Sequence, residues 1–244
     1  MLQKAGTAIL KHHHAEVQIS KKEDQTPVTK ADQESHQLIQ STLEKLTPHI
    51  PIISEEGVIP PYSTRKDWPE CWLLDPLDGT KSFIQNSSEF SINLALVQNN
   101  LPQIGFIHWP TEQLTIYTEN QQCWQQVLNQ APEKCPQEKT ENNRTIRLIK
   151  SVFSDNPQYK DYIQTLNKQY QSVEVIKVNS AVKFIYLAQN KADIYPRFSP
   201  SMEWDIAAGH AIMNTLNKTV IDLNTNTPLN YNKETLINPP FIVK

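Results

Sequence analysis

Cysteine is scarce in this chain, and the three present, Cys71, Cys123 and Cys135, show no C-x-x-C spacing. An odd count without that spacing points to neither a disulfide framework nor a zinc site, and it suits a reducing cytoplasm. No stretch comes near the ~20 apolar residues that a membrane span needs, and the apolar run within MLQKAGTAIL is too short for a secretory signal. A soluble cytoplasmic protein is expected, compatible with peripheral contact at the cytoplasmic face of an inner membrane. Basic charge is in no excess either: 23 Lys and Arg stand against 26 Asp and Glu, for a formal net charge of -3, with the cations scattered along the chain. That excludes the electrostatic footprint of a nucleic-acid polymer binder. Five glycines in 244 residues read as compositional drift without functional content. There is no internal repeat or low-complexity tract, and no Ser/His/Asp order or Cys/His pairing that points to covalent catalysis.

With 38% hydrophobic and 20% charged residues, the chain can bury a substantial core as one large domain or two intimately packed ones. Residues 1–20 read as an amphipathic helix, and ADQESHQLIQSTLEKL (31–46) as a second, with Leu38, Leu43 and Leu46 inward. IPIIS and CWLLD read as short buried strands. FSINLALV, QIGFIHW, LTIYTE and CWQQV, divided by turn-forming segments, form an antiparallel meander. Residues 131–145 are polar and proline-bearing, so a boundary near 140 separates an N-terminal α+β region, residues 1–140, from a C-terminal region, residues 141–244. Beyond it, strands and helices alternate: IRLIKSV, a helix near 158–170, VEVIKV, SAVKFIYLAQNKA, DIYP, WDIAAGHAIMNTL and TVIDL. Alternation of this kind argues for a layered α/β half.

Acids end three apolar elements: Glu55 and Glu56 in IPIISEEG, Asp75 and Asp78 in WLLDPLDGT, and Asp205 in MEWDIAAGHA. Two carboxylates ~4 Å apart at an effective dielectric near 20 repel by roughly 4 kcal/mol, and divalent cations held by oxygen ligands would offset this. Within DPLDGT, Pro76 fixes its own φ, Gly79 permits a conformation barred to other residues, and Thr80 can cap the short helix begun by KSFI. Both carboxylates and the Leu77 carbonyl can then face one point, beside backbone amides of Gly79 and Thr80 that open an anion site. Taken alone, Glu56 and Asp205 read as ordinary turn or cap residues. Capping accounts for only one acid of the Asp75/Asp78 pair. His12, His13 and His14 splay around a helix as a solvated patch, His210 reads as a satisfied helix histidine, and Trp72, Trp109 and Trp204 as core or boundary aromatics.

SEEG, WLLDPLDGTKSF, WDIAAGHAIM and TPVTKADQESHQLI together resemble the signatures of the lithium-sensitive, magnesium-dependent phosphatases that include inositol monophosphatase, across essentially the whole chain. The resemblance implies an alternating α/β/α/β/α sandwich of the inositol monophosphatase-like sugar phosphatase fold. It implies that Glu55, Asp75, the Leu77 carbonyl, Asp78 and Asp205 hold two or three Mg²⁺ ions. It implies too that Asp32 and Thr80, with Glu55 sharing, activate a water for direct hydrolysis without a phosphoenzyme. VNSAVKFIYLAQNKADIYPRFSP resembles the version in 3'(2'),5'-bisphosphate nucleotidases of the CysQ type. Ser180, Lys183 and Arg197 are then implied to bind substrate together with Leu77, Asp78, Gly79, Thr80 and Asp205. A bisphosphate keeps a second anionic group that cationic side chains can meet with charge-assisted hydrogen bonds. Without the resemblance, Lys183 reads as a solvated helix lysine and Arg197 as a surface salt bridge. Asn179 stands where those nucleotidases usually carry glycine.

The leading expectation is removal of the 3'-phosphate from 3'-phosphoadenosine 5'-phosphate to give AMP in sulfur metabolism. The alternatives are a sugar or inositol monophosphatase, an aspartyl-nucleophile phosphatase, whose Asp-x-Asp spacing this chain lacks, and a non-catalytic nucleotide-binding relative. The sequence leaves the oligomeric state open.

Overall fold

The computed structural model describes residues 1–14, 19–21, 27–136 and 144–244. The chain opens with α1 (Leu2–His12), a hairpin of β1 (Ile19–Lys21) and β2 (Pro27–Thr29), and α2 (Lys30–Leu46). The helix expected over 1–20 therefore stops at His12, and 19–21 are extended; residues 15–18 of that expectation lie outside the described residues. Its end has a cause. His13 turns out of the helix to pack its ring on Phe83 and Phe90, at 5.4 and 4.9 Å, with Nε2 3.2 Å from the Ser87 carbonyl oxygen, so it is no part of a solvated patch.

The inner face of α2 also departs from expectation. Ala31, Asp32, Ser35, Ile39 and Leu43 are buried, whereas Leu38 and Leu46 are 40% and 70% exposed. Small residues are needed on this stripe because a strand passes close beneath it: the Ser35 hydroxyl donates to the Pro76 carbonyl at 2.7 Å. Close approach outweighed hydrophobicity in choosing the buried side.

Next come β3 (Ile52–Ser54), α3 (Tyr62–Arg65), β4 (Glu70–Asp78), α4 (Thr80–Ile84), β5 (Ser91–Gln98), β6 (Leu101–Trp109), β7 (Leu114–Glu119), β8 (Gln122–Val127) and β9 (Glu133–Lys134). The seven strands form one sheet in sequence order; β3 and β4 are parallel and every later pair is antiparallel, which is the expected meander. The β8–β9 hairpin sets Cys135 against Cys123, which are disulfide-paired with Cα atoms 5.4 Å apart. This corrects the expectation of unpaired cysteines: strand pairing, not sequence spacing, brought the two together. Cys71 is free and buried.

The remaining elements are β10 (Thr145–Lys150), α5 (Gln158–Leu166), β11 (Ser172–Lys177), α6 (Val182–Ala188), β12 (Tyr195–Arg197), β13 (Ser201–Met202), α7 (Glu203–Thr215), β14 (Val220–Asp222), β15 (Ile237–Asn238) and β16 (Phe241–Val243). β10 and β11 pair in parallel, and β16 lies between β12 and β14. Because successive strand residues face opposite ways, each sheet serves two cores. Trp72 and Leu74 of β4 pack with α1 and α2, while Cys71 and Leu73 pack with α6 and α7. Ile149, Tyr195 and Phe241 join that central core from the other side, and Leu148, Ile194 and Ile242 face α5 with Tyr159 and Leu166. The layers therefore run α/β/α/β/α.

Glycine matters where α7 crosses the sheet. A Cβ on Gly105 of β6 would lie 2.2 Å from the Ala208 carbonyl oxygen of α7. Gly105→Ala is therefore expected to destabilise the fold by about 1–3 kcal/mol, the usual cost of overpacking, read as a lower urea midpoint at unchanged slope. An unchanged midpoint would contradict this packing.

Candidate metal centre

The segment that ends β4 is not a simple strand terminus. Asp75 and Asp78 are three residues apart, so on a regular strand they would point to opposite faces. β4 instead continues through Pro76, and its register slips: Asp75 opposes Asn93 and Asp78 opposes Ser91. Three steps on β4 span two on β5, a bulge that returns both acids to one side. Proline suits the slip because it has no N–H to give to the ladder. Gly79 then takes φ +91°, where a Cβ would sit 3.1 Å from the Glu89 carbonyl oxygen and 3.2 Å from Ser180 Cβ. The sequence suggests Thr80 as the cap of α4, but Gly79 takes that place and Thr80 is the first helical residue; its hydroxyl faces the Leu77 carbonyl at 3.2 Å and Asp32 Oδ1 at 3.3 Å.

The acids share a pattern: a neighbouring group tethers one oxygen. Asp75 Oδ1 accepts from the Leu77 amide at 3.0 Å, and Asp205 Oδ2, in the first turn of α7, accepts from the Met202 amide at 2.9 Å. Asp78 Oδ2 accepts from the Ala181 amide at 2.5 Å and Asn93 Nδ2 at 3.3 Å. Asp32 Oδ2 accepts from the Thr29 amide and hydroxyl, closing the capping box of α2 and leaving Oδ1 to Thr80. Glu55 follows β3, its amide bonded to the Leu74 carbonyl at 3.1 Å. Oxygens of Glu55, Asp75 and Asp205 lie within 4.8 Å of one another; Asp78 adjoins this trio, and Glu56 stays outside it.

This grouping has an electrostatic signature. Burial, then Glu55, Asp78 and Asp205, push the Asp75 carboxyl well above the usual carboxylate range. Burial, then Asp78 and Glu55, push Asp205 up to about 7, against a downward pull from Arg197. Burial raises Asp32 as well, opposed by its hydrogen bonds to Thr29 and Thr80. Desolvated carboxylates that repel one another are a fitting cage for a divalent ion, and an all-oxygen donor set without His or Cys favours a hard one such as Mg²⁺.

Glu55, Asp78 and Asp205 line a cavity of about 240 Å³ that also takes Ser180, Lys183 and Arg197 from the C-terminal region. Lys183 is no solvated lysine. It is buried, its Nζ donates to the Ser180 carbonyl at 2.6 Å, and it lies 5.6 Å from the Tyr195 ring centre. Arg197 meets the carbonyls of Ser199 and Pro200 and the Tyr195 hydroxyl, not a surface carboxylate. Ser180 holds φ +50°, a strained value for a residue with a side chain, between amide contacts of Asn179 to Glu89 and of Ala181 to Asp78. His210 is satisfied by the Tyr231 hydroxyl at 2.9 Å. Sequence reasoning passed over Asn93 and Ser91, both fully buried and hydrogen-bonded to each other. Polar residues inside the otherwise apolar FSINLALV were the available signal. Glu89 gave none.

An acid raised above its unfolded-state value binds more protons folded than unfolded, so stability falls as pH rises between the two values. Metal-free protein is expected to lose thermal stability from about pH 4 through about 7 as Asp205 is forced to ionise, with Asp75 adding a loss of the same sign. Saturating Mg²⁺ near neutral pH should restore it, raising the melting midpoint by about 5 °C or more over a sample with chelator. A metal-free midpoint that climbs across that window would overturn this account.

The pattern that defines the inositol monophosphatase family matches residues 1–241. A 3'(2'),5'-bisphosphate nucleotidase CysQ from Salmonella typhimurium is 34% identical over 98% of this chain and 94% of its own, and that from Escherichia coli K12 is 33% identical over the same shares. Among solved structures, CysQ from Bacteroides thetaiotaomicron superposes with a TM-score of 0.86 at 34% identity, covering 100% of this chain and 93% of the other. An IMPase from Thermotoga maritima shares the fold at a TM-score of 0.77 and 22% identity, with coverage of 100% and 88%. With the fold, the acid-bearing motifs and full-length similarity in agreement, the chain belongs to the inositol monophosphatase family.

Proposed function

We propose that the chain is a 3'(2'),5'-bisphosphate nucleotidase that removes the 3'-phosphate of 3'-phosphoadenosine 5'-phosphate, giving AMP and phosphate, with two or three Mg²⁺ as cofactor. The observation that carries this reading is that one cavity is lined both by the carboxylates Glu55, Asp78 and Asp205 and by the cations Lys183 and Arg197. The similarity to CysQ nucleotidases over nearly the full chain supports the choice of a nucleotide over an inositol phosphate. In this reading residues 1–140 carry the chemistry together with Asp205, and residues 141–244 otherwise select the substrate. The proposed partner is a small nucleotide bisphosphate and the proposed location the cytoplasm. Among the described residues no helix is long and apolar enough to cross a membrane.

Mg²⁺ held by Glu55, Asp75, the Leu77 carbonyl, Asp78 and Asp205 would neutralise the cage and stabilise the attacking and leaving oxygens of an in-line displacement. The chain's own part in the proton transfer falls to Thr80 and Asp32. With its proton directed at Asp32 Oδ1, the Thr80 hydroxyl offers its lone pairs to the attacking water. As the water oxygen closes on phosphorus and the P–O3' bond breaks, Thr80 takes the water's proton and passes its own to Asp32, while the departing O3' takes a proton from solvent water and becomes the 3'-hydroxyl of AMP. The raised affinity of buried Asp32 for a proton suits it to that role. Gly79 lets the backbone approach the phosphate without a side chain in the way, Ser180 lines the same cavity, and Lys183 and Arg197 meet the second phosphate.

Two measurements test this. In a phosphate-release panel with Mg²⁺, repeated with Li⁺, the adenosine bisphosphate should be turned over far better than inositol 1-phosphate, and Lys183→Ala or Arg197→Ala should raise its KM about 10–100-fold. Equal turnover of both substrates, or an unchanged KM in both variants, would return the reading to a broad sugar phosphatase. Asp32→Asn and Thr80→Val should each lower kcat by about 100–1,000-fold with little change in KM. A normal kcat in either variant would remove that pair from the proton path.

A further inference from the structure

One apolar side chain on the cavity wall has no place in the chemistry described so far. Phe153 lines the cavity and is 48% exposed, beside Val152 at 44%, in the turn that follows β10. The other aromatic rings on the wall, Phe184 and Tyr195, are already committed: both are buried and pack edge to face at 5.8 Å. Phe153 has no aromatic partner among the described residues, so its ring face remains available.

The turn that carries it is held in place. Asn179 Oδ1 accepts from the Ser151 hydroxyl and the Val152 amide, each at 3.1 Å, and the Ser154 amide returns to the Ser151 carbonyl at 3.2 Å. Asn179 in turn gives its own amide to Glu89 Oε2 at 2.9 Å, two residues before the Ala181 amide that tethers Asp78. A glycine at 179 would supply neither bond to the turn. The side chain that departs from the nucleotidase pattern therefore lines the cavity and fixes the approach of Phe153 to it.

The geometry points to Phe153 as the platform on which the nucleobase of the substrate stacks, with Asn179 as the residue that positions it. A ring at a cavity mouth, apolar on its face and preorganised by its own turn, is what a planar heteroaromatic ligand covers with gain; a sugar phosphate presents no such plane. Specificity for a nucleoside bisphosphate then has two sources, cationic for the second phosphate and aromatic for the base. This inference rests on the nucleotidase reading.

The test measures KM and kcat for adenosine 3',5'-bisphosphate in wild type, Phe153→Ala and Phe153→Trp. It also measures the competitive inhibition constant of 1-deoxyribofuranose 3,5-bisphosphate, which keeps both phosphates and lacks the base. Phe153→Ala is expected to raise KM for the nucleotide about fivefold to tenfold, the lower end for one aromatic–base stack, at unchanged kcat. The base-free inhibitor should bind as before, and Phe153→Trp should restore KM. Because the side chain is half in solvent, the melting midpoint of the alanine variant should stay at the wild-type value. An unchanged KM in Phe153→Ala, or an equal loss for the base-free compound, overturns the inference while leaving the nucleotidase reading intact. Wild-type protein that releases no phosphate from the nucleotide overturns both.

Discussion

Repulsion among buried carboxylates is the constraint around which the rest of the molecule is organised. Glu55, Asp75, Asp78 and Asp205 come from three separate stretches of chain, with Asp75 buried and the others partly so. Such a cluster is unfavourable unless its charge is reduced by protons or matched by cations. Among the described residues, the guanidinium of Arg197 pulls Asp205 down only in part. The chain instead uses its hydrogen bonds for orientation. Backbone amides of Leu77, Met202 and Ala181 each hold one carboxylate oxygen, which fixes the direction of the other. Backbone donors on strands and helix starts are rigid, so the cage is set before any ion enters.

Holding that cage in place explains several otherwise separate features. The bulge in β4 exists because acids three apart cannot share a face on a regular strand, and Pro76 eases the slip by removing a ladder donor. The small residues on α2 exist because the bulged segment lies directly under that helix, with Ser35 bonded to Pro76. Helix α7 brings Asp205 in at its first turn, and the absence of a side chain at Gly105 is what allows this helix to lie so close to the sheet. A residue chosen in the core thus sets the position of an acid of the cluster.

How much of this could be read beforehand depended on whether the signal was local. The meander, the alternation after residue 144 and the acids at the ends of apolar runs were legible because period and punctuation are properties of a few consecutive residues. The inner face of α2 was misread because Leu38 and Leu46 outrank Ala31 and Ser35 in hydrophobicity, while the packing rewarded small size. Neither β1 nor β16 was anticipated: both are three residues long, and β16 gains its central place only by pairing with two strands far away in sequence. The Cys123–Cys135 pair likewise follows from a hairpin and not from spacing. At the site, the acids were visible as misplaced charges. The double duty of Asp32, cap on one oxygen and partner of Thr80 on the other, was not, since both uses call for the same residue type.

One hydrogen-bonded run joins residues 78 and 89 to the 179–181 segment. Asp78 belongs to the acidic cluster, yet its Oδ2 is held by the amide of Ala181, from the segment that lines the proposed substrate cavity. Ser180 is kept in a left-handed conformation between that bond and the one from Asn179 to Glu89, and Asn179 holds the turn of Phe153. A strained residue pinned from both sides cannot relax without releasing one of its neighbours. Chemistry and recognition are therefore not independent modules here: a change in the 179–181 segment must reach Asp78, and loss of the Asp78 carboxylate must reach the substrate wall. Groups in one such network do not contribute additively. The cage can be kept anionic and accurate only because the wall that selects the substrate also supplies one of its tethers.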